Sequence, residues 1–317
     1  MRVTFLIFHF NNMKISIIIP IYNQKKYTQA CLESIFKYDS KYEFEIIVVD
    51  NGSRDGSRDY LSELESKSKI FVIRNKKNFG FAKACNQGAG VAKGEYLLFL
   101  NNDTVVTDKW LDILVEELDA NKAIGIVGPK LLYPDGTVQH AGVVFDEHKW
   151  PHHIYKKENA DALYVNKKRQ FQCLTAACFL VRKGIFIKVD GFDEAYLNGL
   201  EDLDLCLKVK GLGCGILYCP ESVVYHHESI TEGRSNYDEK NVKTFFSRWE
   251  EKIIVDYKNY IKEDGMIGMG DFLDTFHGNN MSYKKFGYLM QRFLVTAKRD
   301  GFFRAITKSW RRLTIKR

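Results

Sequence analysis

FLNNDTVV, residues 99–106, is where the wholly apolar run Tyr96-Leu97-Leu98-Phe99-Leu100 breaks into Asn101, Asn102 and Asp103. A buried strand that ends on a carboxylate delivers a negative charge to the carboxyl edge of a sheet, where open α/β folds bind their ligands. One acidic residue at that edge suits a divalent cation. Ordinary turn chemistry after a strand is the competing reading, and the rest of the chain decides between them.

Upstream, the same rhythm occurs three times. Lys14 to Pro20 is a continuous apolar run that predicts a central strand, ended by the proline. The segment Gln24–Lys37 places Tyr27, Cys31 and Ile35 on one helical face. Phe44–Val49 predicts a second strand, followed by Asp50-Asn51-Gly52-Ser53 and a helix carrying Tyr60, Leu61 and Leu64. A third strand spans Ile70–Ile73, and after Asn78-Phe79-Gly80 a helix of small residues runs from Phe81 to Gly94. Strands alternating with helices predict an α/β fold with a doubly wound, mainly parallel sheet.

Beyond Asp103 the rhythm changes. Thr107 is read as the N-cap of a helix with Trp110, Leu111, Leu114 and Leu118 inward. Pro134-Asp135-Gly136 marks a turn, residues 146–170 read as a long polar loop, and a strand is expected over Phe171–Val181. A helix begins near Glu201 and closes at Gly211 or Gly213; Gly215–Cys219 is a short strand, Val223–Ser229 leads out, and 236–260 reads as helical. This region predicts a smaller, mixed acceptor-side part and then a C-terminal helical tail.

Composition narrows the class. The chain has 317 residues, of which 45% are hydrophobic and 14% aromatic, enough for a real core. Its apolar runs fall far short of the roughly 20 residues needed to span a bilayer. The seven cysteines (31, 85, 173, 178, 206, 214 and 219) form no CxxC pair and read as small buried hydrophobes in a reducing compartment. Net charge is +7, yet residues 281–317 hold eleven Lys or Arg against one Asp, which leaves the remainder at −3. The basicity is local, which argues against a nucleic-acid-binding core and for contact with an anionic surface. In that tail Phe286, Met290 and Leu294, then Phe302, Ile306 and Trp310, recur at fours and predict two basic amphipathic helices. The alternative is a helix that docks its apolar face on the rest of the chain. Residues 1–12 read as an N-terminal extension ahead of Met13.

Polar groups recur where the strands end: Tyr22 and Asn23, then Asp50, then Asn78 and Gly80, then Asp103. A sheet that repeats this four times at one edge is building a ligand site. No GxGxxG or GxxxxGK[ST] motif is present. Asp50 could bond a base or ribose, or could close an Asx-turn. Glu201-Asp202-Leu203-Asp204 could complement a helix dipole or supply a general base. His226-His227 could be structural, or one imidazole could complete a metal site begun by a carboxylate. In the loop, Trp150, His152, His153 and Tyr155 could stack on sugar faces or pack among themselves.

The motifs SIIIPIYNQ, VVDNGSRDGS, NFGFAKACNQG, FLNNDTVV, PKLLYPDGTVQHAG, GFDE, LEDLDLCLKVKGLG and VYHHES, in this order, resemble the family-two glycosyltransferases of the GT-A fold. The likeness is strongest to the bacterial subgroup that includes rhamnosyltransferase-like enzymes of surface polysaccharide assembly, and it covers residues 14–230. It implies a catalytic domain over 13–230, with a nucleotide-binding half (13–103) and an acceptor-binding half (104–230), and a C-terminal helical region over 231–317. Pro20, Tyr22 and Asp50 would line the nucleotide pocket, supported by Asn78, Gly80 and Asn86. Asn101-Asn102-Asp103 stands at the family's DxD motif; Asn101 departs from it, which leaves Asp103 as the metal ligand. Asp202 matches the base of the family's ED motif, and His226 or His227 a histidine on the metal side. Glu201 and Trp150 are further substrate-side candidates.

The resemblance further implies Mg2+ or Mn2+ as cofactor and inverting transfer from a nucleotide-diphosphate sugar, dTDP-rhamnose or a UDP-hexose, to a glycan hydroxyl. Acceptors in the subgroup are commonly lipid-linked, so residues 281–317 would touch a membrane and the chain would sit in the cytoplasm, peripheral to the inner face of the cell membrane. No nucleic acid is implied. A sugar nucleotidylyltransferase would need a glycine-rich N-terminal loop that SIIIPIYNQ lacks. A sugar-nucleotide-binding protein without transferase activity is opposed by the joint presence of Asp103, Asp202 and His226.

Overall fold

The structure is a computed structural model and describes residues 13–197, 199–228 and 239–265. The expected extension 1–12 and the basic tail 281–317 lie outside the described residues. Packing divides the chain into two compact units, one of residues up to Phe145 with Lys149–Ile254, the other of Asp146–His148 with residues from Val255 onward.

In the first unit the chain runs β1 (Ile15–Ile21), α1 (Lys25–Lys37), β2 (Phe44–Asp50), α2 (Ser57–Ser66), β3 (Phe71–Arg74), α3 (Phe81–Val91) and β4 (Tyr96–Leu100). There follow β5 (Thr104–Val106), α4 (Trp110–Ala120), β6 (Ile124–Leu132), β7 (Val138–His140), β8 (Val143–Phe145), β9 (Pro151–His153) and β10 (Arg169–Gln170). The last elements are β11 (Cys178–Arg182), α5 (Lys183–Lys188), α6 (Glu201–Gly211), β12 (Gly215–His226) and α7 (Glu239–Trp249). The second unit holds α8 (Tyr257–Glu263).

The main sheet has the order β10-β12-β6-β11-β4-β1-β2-β3. Strands β4, β1, β2 and β3 are mutually parallel, as the alternation of strands and helices predicts. Every residue of β1 and β4 is buried because helices cover both faces, which is why these strands read as unbroken apolar runs. On one face, Ile15, Ile17 and Ile19 share a core with Cys31, Leu32 and Ile35 of α1, Leu61 of α2 and Leu114 and Leu118 of α4. On the other face α3 lies close: a Cβ at Gly88 would come within 2.5 Å of the Ile18 side chain, so only the smallest residue lets helix and sheet meet. Gly88 of this small-residue helix thus serves packing.

Past β4 the sheet becomes mixed. β11 runs antiparallel to β4 and to β6, and β12 runs parallel to β6 and antiparallel to β5.

Four local expectations are corrected. Pro20 does not end β1 but pairs with Val49 inside it; the β4 side of the ladder has already stopped at Ile18, so the missing N–H costs little there. Thr107 does not cap α4: Lys109 occupies that position at φ 57°, while the Thr107 hydroxyl donates to the Val223 carbonyl at 2.7 Å. Of the stretch 171–181 only residues 178–181 are part of a strand, β11, which continues to Arg182. Finally, 215–226 is one strand whose register slips between Cys219 and Val223, so the polar Glu221-Ser222 bulge reads in sequence as a break.

Candidate active site

The site begins where β4 stops. The backbone N–H of Asn101 donates to the Ala177 carbonyl at 2.9 Å, which carries the sheet one residue beyond the strand. The Asn102 side chain turns back to α1 and donates to Thr28 Oγ1 at 2.9 Å. Asp103, 5% exposed, therefore faces the region where β5 pairs with the end of β12. In that register His226 stands opposite Thr104, and Nε2 of His226 lies 3.0 Å from Oδ1 of Asp103. The Asp103 carbonyl accepts from the His227 N–H at 3.0 Å, which turns the His227 ring outward against Tyr27, with centroids 5.0 Å apart. Of the two histidines, His226 is the one that meets the carboxylate.

The surroundings of His226 define its chemistry. Its Nδ1 sits 2.7 Å from Gln139 Oε1, and its Nε2 sits 3.3 Å from the Asn101 amide nitrogen. The tautomer with its proton on Nδ1 donates to Gln139 Oε1 and leaves the single Nε2 lone pair on the side of Asn101 Nδ2 and Asp103 Oδ1. In that tautomer the lone pairs of Nε2 and Asp103 Oδ1, 3.0 Å apart, can share a cation. Two oxygen or nitrogen ligands each about 2.1 Å from a metal and at right angles are separated by about 3.0 Å. The pair therefore fits a divalent cation of the Mg2+ or Mn2+ type. No cluster of three or more His, Cys, Asp or Glu that could hold a metal occurs among the described residues, so phosphate oxygens and water would supply the remaining ligands.

Asp202 sits in the first turn of α6. Its Oδ2 accepts from the Ala176 N–H at 3.1 Å and its Oδ1 from the Leu203 N–H at 2.9 Å. Burial pushes the carboxyl above the ordinary aspartate range, against the opposing pull of those N–H groups and of the Thr175 hydroxyl. The short segment Thr175–Ala177 thus holds Asn101 by one residue and Asp202 by the next. Glu201 is buried at 7% exposure. Asp204, fully buried, instead accepts from Trp249 Nε1 at 2.8 Å and pairs with Lys208 at 2.9 Å, so its place is in seating α7.

At the neighbouring strand ends, Pro20, Tyr22 and Asp50 come together. Ile21 pairs with Asp50, and the Asn23 N–H donates to Ser53 Oγ at 2.8 Å. Tyr22 is exposed, whereas Asp50 is fully buried. One Asp50 oxygen accepts from the Ser53 N–H at 2.8 Å and the other from Arg58 Nε at 2.9 Å, so its carboxylate shapes the turn and the helix entry. The Gly80 N–H donates to Asn78 Oδ1 at 2.9 Å, and the Gly80 carbonyl accepts from Asn51 Nδ2 at 3.1 Å. Asn86 grips the backbone of Phe192 at both ends, donating to its carbonyl at 2.8 Å and accepting from its N–H at 3.1 Å. Trp150 stacks on Phe246 of α7, with centroids 5.5 Å apart. In the stretch expected as a polar loop, Pro151–His153 is strand β9; there His153 is bonded to His140, Nδ1 to Nδ1, at 2.7 Å and His152 is exposed, while Tyr155 beyond it is buried. Burial is the main cause of a His153 pKa lowered to about 4, which keeps that ring neutral.

Residues 16–190 match the model of the family described as Glycosyl transferase family 2. The O-antigen biosynthesis protein RfbC of Myxococcus xanthus is 31% identical over 69% of this chain and 18% of its own length. The N-acetylglucosaminyl-diphospho-decaprenol L-rhamnosyltransferase of Mycobacterium tuberculosis is 26% identical over 60% of this chain and 68% of its own. Among solved structures, GalNAc-T7 with UDP, GalNAc and Mn2+ superposes at a TM-score of 0.61 and 19% identity, covering 84% of this chain and 57% of that one, which establishes the GT-A fold. The chain spans 26%, 18% and 38% of the lengths of the first curated relatives that it matches.

Proposed function

The chain belongs to glycosyl transferase family 2, and from that premise we propose that it moves a sugar from a nucleotide-diphosphate sugar to a hydroxyl of a glycan acceptor, with inversion. The observation that supports this reading is that one short segment reaches both sides of the site: the Ala177 carbonyl accepts from the backbone N–H of Asn101, two residues before Asp103, and the Ala176 N–H donates to the Asp202 carboxylate.

In this mechanism Asp202 removes the proton from the acceptor hydroxyl. The freed oxygen attacks the anomeric carbon from the side opposite the diphosphate, and the bond to the diphosphate breaks with its electron pair. Burial raises the proton affinity of Asp202, which suits a base, while the Ala176 and Leu203 N–H groups fix its orientation. Asp103 and His226 would hold Mg2+ or Mn2+, which supplies neutralisation of the charge that gathers on the leaving diphosphate. The donor-side groups are Pro20, Tyr22, Asp50, Asn78, Gly80 and Asn86 in the half 13–103. Asn101, Asn102, Glu201 and Trp150 serve the sugar and acceptor from the half 104–230 and its boundary.

The donor is dTDP-rhamnose or a UDP-hexose, and the role is in cell-surface polysaccharide synthesis. The printed names of the Myxococcus and Mycobacterium relatives support that role, and the second also supports a lipid-linked acceptor. The basic composition of 281–317 supports peripheral attachment at the inner face of the membrane. Among the described residues no helix is long and apolar enough to cross a membrane. The test is a panel of UDP-, GDP- and dTDP-sugars read by thermal unfolding. One donor class should raise the midpoint only with Mn2+ or Mg2+ present. No stabilisation by any of them would reject the proposal.

A further inference from the structure

Gln139 lies in the motif PKLLYPDGTVQHAG, none of whose residues has a role in the reaction described above, and its position is unusual. In the pairing of β6 with β7, Leu131 stands opposite His140 and Leu132 opposite Val138, so Gln139 is the extra residue of a β-bulge. Such a bulge re-aims one side chain out of the alternating pattern, and next to a site that is its common use. The side chain is buried, at 3% exposure, and its oxygen lies 2.7 Å from Nδ1 of His226. The opposite ring nitrogen lies 3.0 Å from Asp103.

We propose that Gln139 is a positioning residue: by accepting the Nδ1 proton it fixes the ring plane of His226 and leaves the Nε2 lone pair directed to the cation shared with Asp103. This rests on the reading of Asp103 and His226 as the cation ligands. The physical logic is that an imidazole has one proton to place when neutral, and a buried acceptor at one nitrogen decides that the other is the ligand. An amide oxygen does this without adding a charge. It also stands on a strand rather than a loop, so the ring orientation is set before any ligand arrives.

The experiment uses the full chain, with Mn2+ affinity measured by calorimetry in the presence of UDP for the wild type and for His226→Ala, Gln139→Leu, Gln139→Met and Gln139→Glu. Gln139→Leu should weaken Mn2+ binding by roughly tenfold to a hundredfold, and Gln139→Glu, which restores an acceptor, should bind at least as tightly as the wild type. Gln139→Met keeps the volume without the acceptor and should behave like Gln139→Leu, which guards against a mere packing defect. Imidazole nitrogen-15 shifts of His226 in the metal-free chain should place the proton on Nδ1 in the wild type and lose that preference in Gln139→Leu. If His226→Ala loses affinity while Gln139→Leu and Gln139→Met keep it, or if the wild-type proton lies on Nε2, the role of Gln139 is overturned and the metal site stands. If the wild type does not bind Mn2+, or His226→Ala binds it unchanged, the ligand assignment fails and the role of Gln139 falls with it.

Discussion

Asp103 Oδ1 and His226 Nε2 lie 3.0 Å apart at the meeting of β5 and β12, each under a tenth exposed. Neither residue is close to the other in the chain. Their contact depends on the antiparallel pairing of Val105 with Tyr225, which brings a loop after β4 and the last residue of β12 to one edge.

Replacing Asp103 with Ala removes the only carboxylate of that pair. The expected outcome is a donor affinity that no longer responds to Mn2+, with the metal-dependent part reduced by at least about tenfold. Titration calorimetry with and without Mn2+ checks it, and equal metal dependence in variant and wild type would refute the ligand role.

Arg58→Ala leaves the Asp50 carboxylate fully buried beside the Ser53 N–H without its cation. Arg58 is itself half exposed, so solvent screens part of the pair, and the loss expected is about 1–3 kcal/mol in unfolding stability. Denaturant unfolding measures it; a change within error would mean that Asp50 finds another partner.

Gly80→Ala tests the turn that enters α3. Gly80 has φ 87°, and a Cβ there would lie 2.9 Å from the Leu197 carbonyl oxygen. Left-handed strain and the clash together should cost roughly 1–3 kcal/mol and loosen donor binding. Thermal unfolding and donor titration report both, and an unchanged midpoint would show that the loop at Leu197 yields freely.

Asp202 links stability to pH. Burial raises its pKa in the fold, so between the ordinary aspartate value and the raised one the folded chain holds a proton that the unfolded chain releases. Stability therefore falls as pH rises through that window. Asp202→Asn should be more stable than the wild type above the window and equal to it below, as read by thermal unfolding across pH. The acid limb of the wild-type activity profile should also lie above that of an ordinary carboxylate, because the base works only when ionised.

The parallel half of the fold was legible because buried strands such as Tyr96–Leu100 and helices with one apolar face leave a local signature. The site was legible where a residue ends or follows a strand, as Asp50 and Asp103 do, and where acidic residues open a helix, as Asp202 does. Gln139 had no such signal, since the bulge that sets it apart exists only against β6. The sequence predicts Thr175–Ala177 as part of a strand, yet it is a connector whose backbone groups serve Asn101 and Asp202, residues far away in sequence. Asn86 could be placed near a pocket but not on the Phe192 backbone, a contact that spans more than a hundred residues. Long-range partners of this kind leave no period in the chain.

Asp202→Asn offers the most direct test of the whole account, because it removes the base and leaves the donor-side residues in place. With an active donor and acceptor pair, transfer should fall by about 100-fold to 10,000-fold while donor affinity in Mn2+ stays near the wild-type value. Transfer at an unchanged rate would contradict the account and remove Asp202 from the mechanism.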